Sequence, residues 1–175
     1  MLKYSKLLIL VLALWFPSFL AMAEDGSPMS GEFAPASDKV ETGVLAGTDL
    51  FVGPIGMKID KDRIEAALPM LQLVDRRDVS ETTLNTFKIS LVPSDRPDQF
   101  VDKNSRDPRG ERGLIWARRD AKGMTIYRFR LLPSGRFSIY GLQLVQDGGG
   151  IAARAWLESD AGILGTAAVS LERVK

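Results

Sequence analysis

Residues 113–175 contain five β-type runs separated by short turns, and each turn contains glycine. The runs are Leu114–Arg118, Met124–Leu132, Arg136–Val145, Ile151–Glu158 and Ile163–Val174. Short glycine-bearing separators between such runs are typical of hairpins, so the sequence predicts an antiparallel meander. The predicted fold class is therefore mainly β, as a curved sheet, a small barrel or a sandwich.

The preceding region is less regular. Residues 49–59 and 85–92 alternate in the manner of strands, whereas the region near residues 60–68 favours one short helix. Ile64, Ala67, Leu68 and Leu71 match the helical spacing, and Pro69 would end the helix near Leu68. This helix leaves an α+β arrangement open. Residues 93–113 are rich in proline and charge, which indicates a long surface loop.

The N-terminus has the pattern of a secretory signal peptide over residues 1–23. Lys3 and Lys6 precede a short apolar stretch, and small residues lie before a cleavage point after Ala23. Residues 24–48 have the composition of a flexible N-terminal arm. Residues 49–175 are expected to form a single β-rich domain, with no transmembrane span once the signal is cleaved. We therefore expect a periplasmic or secreted protein.

The chain has no cysteine and no histidine. This composition excludes disulfides, thiol nucleophiles, Ser-His-Asp triads and metal sites built on imidazole or thiolate. It mildly favours a bacterial periplasmic protein over a eukaryotic secreted one, because small eukaryotic secreted domains often rely on disulfides. No spacing of carboxylates, no Ser-x-x-Lys motif in the mature chain and no calcium or phosphate loop stands out. We therefore expect no catalytic residue, metal or cofactor.

Charge is unevenly distributed along the chain. Residues 24–75 carry a net charge of −6, whereas residues 101–140 carry ten basic and four acidic residues, a net charge of +6. The planar fork of arginine suits carboxylate and phosphate groups, so these arginines are candidate ligands for an anion. The candidate binding residues are Arg106, Arg109, Arg112, Arg118, Arg119, Arg128 and Arg130. The alternative is a solvated loop whose arginines pair with neighbouring acids.

Arg128 and Arg130 share one face of a predicted strand, and Tyr127, Phe129 and Leu131 share the other. The aromatic face is the better candidate for the core, so the arginines are expected to face solvent. If they instead faced a barrel interior, they would form an anion site. Five residues of the meander are expected to be largely buried: Trp116, Phe129, Ile139, Trp156 and Val169.

These features favour an exported, non-enzymatic binding protein of the bacterial envelope. An inhibitor, an immunity-type protein or an accessory subunit would fit this description. The expected partner is another envelope or secreted protein or an anionic ligand. Nucleic acid is a poor partner, because the mature chain is nearly neutral and aromatic residues do not interleave with the arginines. The alternative is a small hydrolase or carrier that holds an anionic ligand through arginines.

Overall fold

The computed structural model describes residues 27–36, 41–42, 55–76 and 79–174. All regular elements in these ranges are β-strands. In chain order they are β1 (Gly31–Pro35), β2 (Glu41–Thr42), β3 (Ile55–Ile59), β4 (Ile64–Arg76), β5 (Val79–Pro93), β6 (Gln99–Asp102), β7 (Leu114–Arg119), β8 (Gly123–Leu131), β9 (Phe137–Asp147), β10 (Gly150–Ser159) and β11 (Gly162–Arg173). The predicted signal peptide lies outside the described residues.

The strands form an antiparallel barrel. From β3 to β11 each strand pairs with the next one along the chain, and β1 pairs with both β3 and β11. Phe33 of β1 lies opposite Ile55 on one side and Arg173 on the other, which closes a ring of ten strands. The short β2 also pairs with β11, at Ala167 and Ala168. The mainly β class is confirmed, and of the architectures left open it is the barrel that forms.

The barrel interior is filled by alternate residues of its strands. In β4, for example, Ile64, Ala66, Leu68 and Met70 are all buried, as period-2 geometry requires for one face of a strand. Large aliphatic side chains from the opposite walls complete one continuous hydrophobic core. Full burial of a leucine-sized side chain contributes about 1.5–3 kcal/mol, so this interior is the main source of stability.

The predicted helix near residues 60–68 is wrong. Residues 60–63 form a turn, and β4 begins at Ile64 and continues to Arg76. The apolar residues here fit both a helical and a period-2 pattern, and pairing with β3 and β5 selects the strand. Pro69 is tolerated because the described pairing of β4 with β3 extends only to Ala67, so no ladder bond to β3 is required of it.

Two segments predicted to be irregular contribute strands. Gly31–Pro35, within the predicted N-terminal arm, is the strand that closes the barrel. Gln99–Asp102, within the predicted 93–113 loop, is β6 and pairs with β5 and β7. Both strands are short, and their sequences carry few large apolar residues. Their pairing partners lie far away in sequence or across a turn, so local composition did not reveal them.

The chain alternates between the two ends of the barrel. Residues 103–113, here called the end loop, join β6 to β7 at one end, where the turn between β8 and β9 also lies. Residues 94–98 and 120–122 lie at the opposite end. Within the described ranges, no helix is long and apolar enough to cross a membrane.

Candidate functional site

The seven candidate arginines do not form one patch. Arg106, Arg109 and Arg112 lie on the end loop, and Arg128 and Arg130 lie on the part of β8 next to it. Arg118 and Arg119 end β7 at the opposite end of the barrel. The net charge of residues 101–140 is therefore divided between two ends of the molecule.

Arg128 faces the barrel interior, so its predicted exposure to solvent is wrong. Its side chain is only 2% exposed, and its guanidinium lies 4.4 Å from the centre of the Phe87 ring. Its Nε donates to the carbonyl of Arg112 at 2.8 Å, and its Nη2 donates to the carbonyl of Glu111. Burial, reinforced by the charges of Arg130 and Arg112, lowers the pKa of Arg128 to about 10. Arg128 therefore stays charged at neutral pH and ties β8 to the end loop.

Arg112 joins the end loop to β5 and β6. Its Nη2 donates to the Asp102 carboxylate at 2.9 Å and to the Lys88 carbonyl at 2.8 Å. The Asp102 side chain is fully buried and also accepts from Ser105 Oγ and the Asn104 amide. A buried carboxylate needs such partners, because desolvation without them costs several kcal/mol. Arg112 and Arg128 thus hold the end loop to the barrel, and their guanidinium groups already carry these contacts.

The other candidate arginines are more accessible. Arg106 and Arg109 are exposed on the end loop, and Arg106 Nε donates to the Lys103 carbonyl. Arg119 is half-buried at the opposite end, where its amide donates to the Asp98 carbonyl. Arg130 is half-buried, and its Nε is enclosed without a hydrogen-bond partner among the described residues. Arg128 and Arg130 were expected to form an anion site if they faced the barrel interior. The Arg128 guanidinium, however, already donates to backbone carbonyls of the end loop.

The opposite face of β8 carries partly buried aromatic side chains on the outer wall, not in the core. Tyr127, Phe129 and Leu131 point outward and are half-exposed. Of the five residues predicted to be buried, Val169 is 8% exposed and is confirmed as buried, whereas Trp116, Phe129, Ile139 and Trp156 are only half-buried. The reason is that the rings of Trp116, Phe129 and Trp156 lie on the outer wall, whereas the interior is filled by aliphatic side chains together with rings such as Phe33 and Tyr140.

Four of these outward positions form a line across the wall, here called the aromatic row. Trp116 of β7 lies opposite Tyr127 of β8, which lies opposite Gly141 of β9, which lies opposite Trp156 of β10. Trp116 and Tyr127 stack with their ring centres 5.3 Å apart and an interplanar angle of 15°. Tyr127 meets Trp156 edge to face at 6.0 Å. Aromatic pairs of this kind add about 0.5–1.5 kcal/mol beyond area burial.

Gly141 makes room for Trp156 within the aromatic row. A Cβ atom at Gly141 would lie 2.1 Å from two carbons of the Trp156 ring, so the indole rests directly on the Gly141 backbone. The glycine that interrupts this strand is therefore a close-approach position. It fixes Trp156 against the wall with part of its surface open.

The aromatic row has two different flanks. On one side, a second line of outward residues carries positive charge and polar groups, and it is here called the arginine row: Arg118, Thr125, Gln143 and Arg154. On the other side the outward residues of β7, β8 and β9 are the apolar Leu114, Phe129 and Ile139, which we call the apolar row, and the acidic Glu158 of β10 lies at its end. The wall thus changes from basic to apolar across the aromatic rings.

A groove of about 430 Å³ lies at the β6 edge of this wall. Its lining combines Arg96 and Arg118 with Trp116, Tyr127 and Gln99. Among the described residues neither arginine forms an ion pair, so both are available to an external anion. Of the arginines singled out from the sequence, only Arg118 belongs to this wall. Sequence reasoning missed Arg154, Gly141 and the outward role of the rings, because alternation alone does not say which face of a strand is inside. It also missed Arg96, which lies in the turn between β5 and β6.

The surface arrangement is suited to binding. In the described ranges no group of three or more acidic side chains is placed to hold a metal ion. Tryptophan, tyrosine and arginine are the residues that most often dominate binding energy at protein interfaces, and here they share one wall. Comparison of the chain with models of protein families, with characterised proteins and with solved structures found no match.

Proposed function

We propose that this protein is a non-enzymatic binding protein exported to the bacterial envelope, where it recognises another protein through the aromatic row. An inhibitor, an immunity-type protein and an accessory subunit are the roles that fit. The observation that carries the proposal is the line of outward-facing, half-buried rings on an outer wall. Apolar rings on the outside of a barrel with a filled interior are the kind of surface that marks an interaction site.

The residues on either side of the aromatic row favour a protein as the partner. A protein interface combines an aromatic and apolar centre with a polar border, and arginine is enriched among its residues. The apolar row continues the wall on one side, with Phe129 and Phe137 stacked at 6.2 Å. Arg118 and Arg154 border the other side. The wall therefore offers an apolar contact area together with groups that fix orientation.

Site-specific photocrosslinking tests the proposal. A benzophenone amino acid at Gln143, within the wall, should crosslink one defined envelope protein, whereas the same group at exposed Lys88 on β5 should not. The crosslink at Gln143 should disappear in the Trp116→Ser/Trp156→Ser double variant if that variant retains the wild-type circular dichroism. Equal crosslinking from both positions, or insensitivity to the tryptophan changes, would contradict the proposal. Transfer of the label to lipid instead of protein would contradict it too.

Export is a separate requirement of the proposed function. The signal-peptide pattern supports cleavage after Ala23. N-terminal sequencing of the protein recovered from the periplasm or medium should begin at Glu24. A chain that retains Met1 in the membrane fraction would contradict this part of the proposal.

One observation favours the alternative of a carrier for an anionic ligand. An open groove of about 530 Å³ on the outer side of β3, β4 and β5 is bordered by Lys58, Lys88 and Arg112, with one acidic residue, Glu65. Arg112 already binds Asp102 and the Lys88 carbonyl, and Lys58 pairs with Asp60 at 3.9 Å, which leaves Lys88 as the main cation for a ligand. Calorimetric titration with phosphate or a small dicarboxylate, compared between the wild type and Lys88→Ala, distinguishes this alternative. Saturable binding that the variant loses would support a carrier.

A further inference from the structure

Resting on the proposed function, we infer that the partner presents an extended acidic segment that lies along the arginine row, with carboxylates on Arg118 and Arg154. Both arginines are exposed and point outward from the same wall. The described residues contain no ion-pair partner for either one. Each can therefore offer its full donor fork to a carboxylate from outside.

The spacing of the two arginines favours an extended peptide. Thr125 and Gln143 lie between them on β8 and β9, so Arg118 and Arg154 are three strand spacings apart, about 14 Å along the row. In an extended chain, side chains four positions apart point the same way and are separated by about 13 Å. Two acidic residues four positions apart in one strand-like segment would therefore reach both arginines.

The residues between the arginines suit the same ligand. Thr125 and Gln143 are neutral and polar, so they can bond to the main chain of a peptide without opposing its charge. The aromatic row runs alongside and provides apolar contact for its remaining side chains. Glu158 lies beyond the aromatic row, four positions along β10 from Arg154. A negative charge on that flank disfavours an acidic ligand there and fixes which side of the aromatic row the segment follows.

The ring geometry favours a peptide over an acidic glycan. Trp116 and Tyr127 stack on each other and Trp156 meets Tyr127 edge to face, so one face of each stacked ring is covered by a neighbouring ring. A sugar ring binds aromatic residues by packing against an open ring face. The exposed edges of this pair instead suit the side chains of a peptide. Arg96 in the adjoining groove extends the basic border beyond Arg118.

The test uses a fluorescent ten-residue peptide with glutamate at its third and seventh positions and threonine or leucine elsewhere. We expect the full chain to bind it, and the double variant Arg118→Glu/Arg154→Glu to weaken binding by about tenfold or more, since close charge pairs across interfaces show coupling of this size. The matched control is Arg106→Glu/Arg109→Glu, which changes the net charge equally on the exposed end loop. It should leave the affinity within about twofold, because distant exposed charges are largely screened in salt.

Several outcomes would overturn the inference. These are equal weakening by both double variants, equal binding of a peptide with glutamine in place of glutamate, and no binding by the wild type at about 1 mM peptide, the weak limit of recognition. Preference for an oligogalacturonate over the peptide would assign the row to an acidic glycan instead. If the Gln143 crosslink to the native partner persists in Arg118→Glu/Arg154→Glu but is lost in Trp116→Ser/Trp156→Ser, the proposed function stands and this inference fails. If the crosslink persists in both variants, both are contradicted.

Discussion

The hydroxyl of Tyr140 donates a 2.9 Å hydrogen bond to the carbonyl of Pro69, and this bond joins β9 to β4 across the barrel interior. These strands are not neighbours in the sheet, and the two residues are 71 positions apart in sequence. Tyr140 is 1% exposed, so the bond replaces water that neither group can reach. The bond therefore fixes the position of β9 relative to β4 more tightly than apolar packing alone would.

We expect Tyr140→Phe to lower the free energy of unfolding by about 1–3 kcal/mol near neutral pH, because the Pro69 carbonyl loses its buried donor. Burial raises the pKa of Tyr140 above its ordinary value of 10.0. The folded state then holds a proton that the unfolded chain releases above that pH. The contribution of Tyr140 is therefore fully present below pH 10 and is lost as the pH rises further.

Urea unfolding of the wild type and Tyr140→Phe at about pH 8 and about pH 11 checks both parts of this prediction. The difference between the two proteins should shrink at the higher pH. Arg128, with its pKa lowered to about 10, acts in the opposite direction over the same range, since its charged form is disfavoured by burial in the folded state. It is present in both proteins, so its effect cancels in the comparison. A difference that is the same at both pH values would contradict the prediction.

Arg128 is expected to control the end loop more than the barrel. Arg128→Met keeps an apolar stem near Phe87 but removes the donors to the carbonyls of Glu111 and Arg112. Hydrogen exchange of the end-loop amides should become faster, by an amount equivalent to about 1–3 kcal/mol of local stability. Global stability should change less, because the variant no longer buries a charge. Arg109→Met, at an exposed position of the same loop, is the control and should leave exchange unaltered.

Local sequence pattern specifies strands that pair with the next strand along the chain, but it does not specify pairing between distant segments. The meander from Leu114 to Arg173 was predictable because each turn contains glycine and each partner strand is the next one along the chain. The strand at Ile64 was not, since its apolar spacing fits a helix equally well and only pairing with β5 decides. The closing strand, Gly31–Pro35, pairs with β11 from the other end of the chain, which no local pattern records.

The candidate site was missed for a related reason. Alternation in β8 separates Tyr127 and Phe129 from Ile126 and Arg128, but it does not say which set faces inward. The usual preference for rings inside gave the wrong answer, because Arg128 finds two carbonyls and the Phe87 ring beneath the end loop. The two carbonyls belong to the end loop, whose position over the barrel cannot be predicted from the local sequence. Arg118 alone was singled out from sequence and also lies on the proposed binding wall.

Gly113, which ends the end loop, is expected to tolerate no side chain. Its φ is +68°, and a Cβ would lie 2.2 Å from the Phe129 carbonyl oxygen. Gly113→Ala should therefore lower stability by more than the roughly 1–2 kcal/mol that left-handed backbone alone costs. Gly135→Ala is the matched control, because its φ is +85° but nothing lies within 4 Å of the added carbon. Thermal unfolding that ranks the two variants equally would show that the Phe129 contact relaxes freely.

Gly141→Ala should displace Trp156 and dismantle one end of the aromatic row. The added carbon would lie 2.1 Å from the indole ring, so the ring must move away from the strand and lose its edge contact with Tyr127. We expect a loss of about 1–3 kcal/mol in stability, as for other overpacked positions. The near-ultraviolet circular dichroism of the tryptophan and tyrosine bands should change along with it.

Gly56→Ala is the control for this last variant, since Gly56 also lies in a strand and nothing lies within 4 Å of its added carbon. It should leave both the spectrum and the stability close to those of the wild type. If Trp156 is a contact residue, Gly141→Ala should also weaken the crosslink from Gln143 while Gly56→Ala preserves it. A wild-type aromatic spectrum in Gly141→Ala would mean that the indole does not rest on Gly141 in solution. The aromatic row would then not be the fixed surface that the binding of a partner requires.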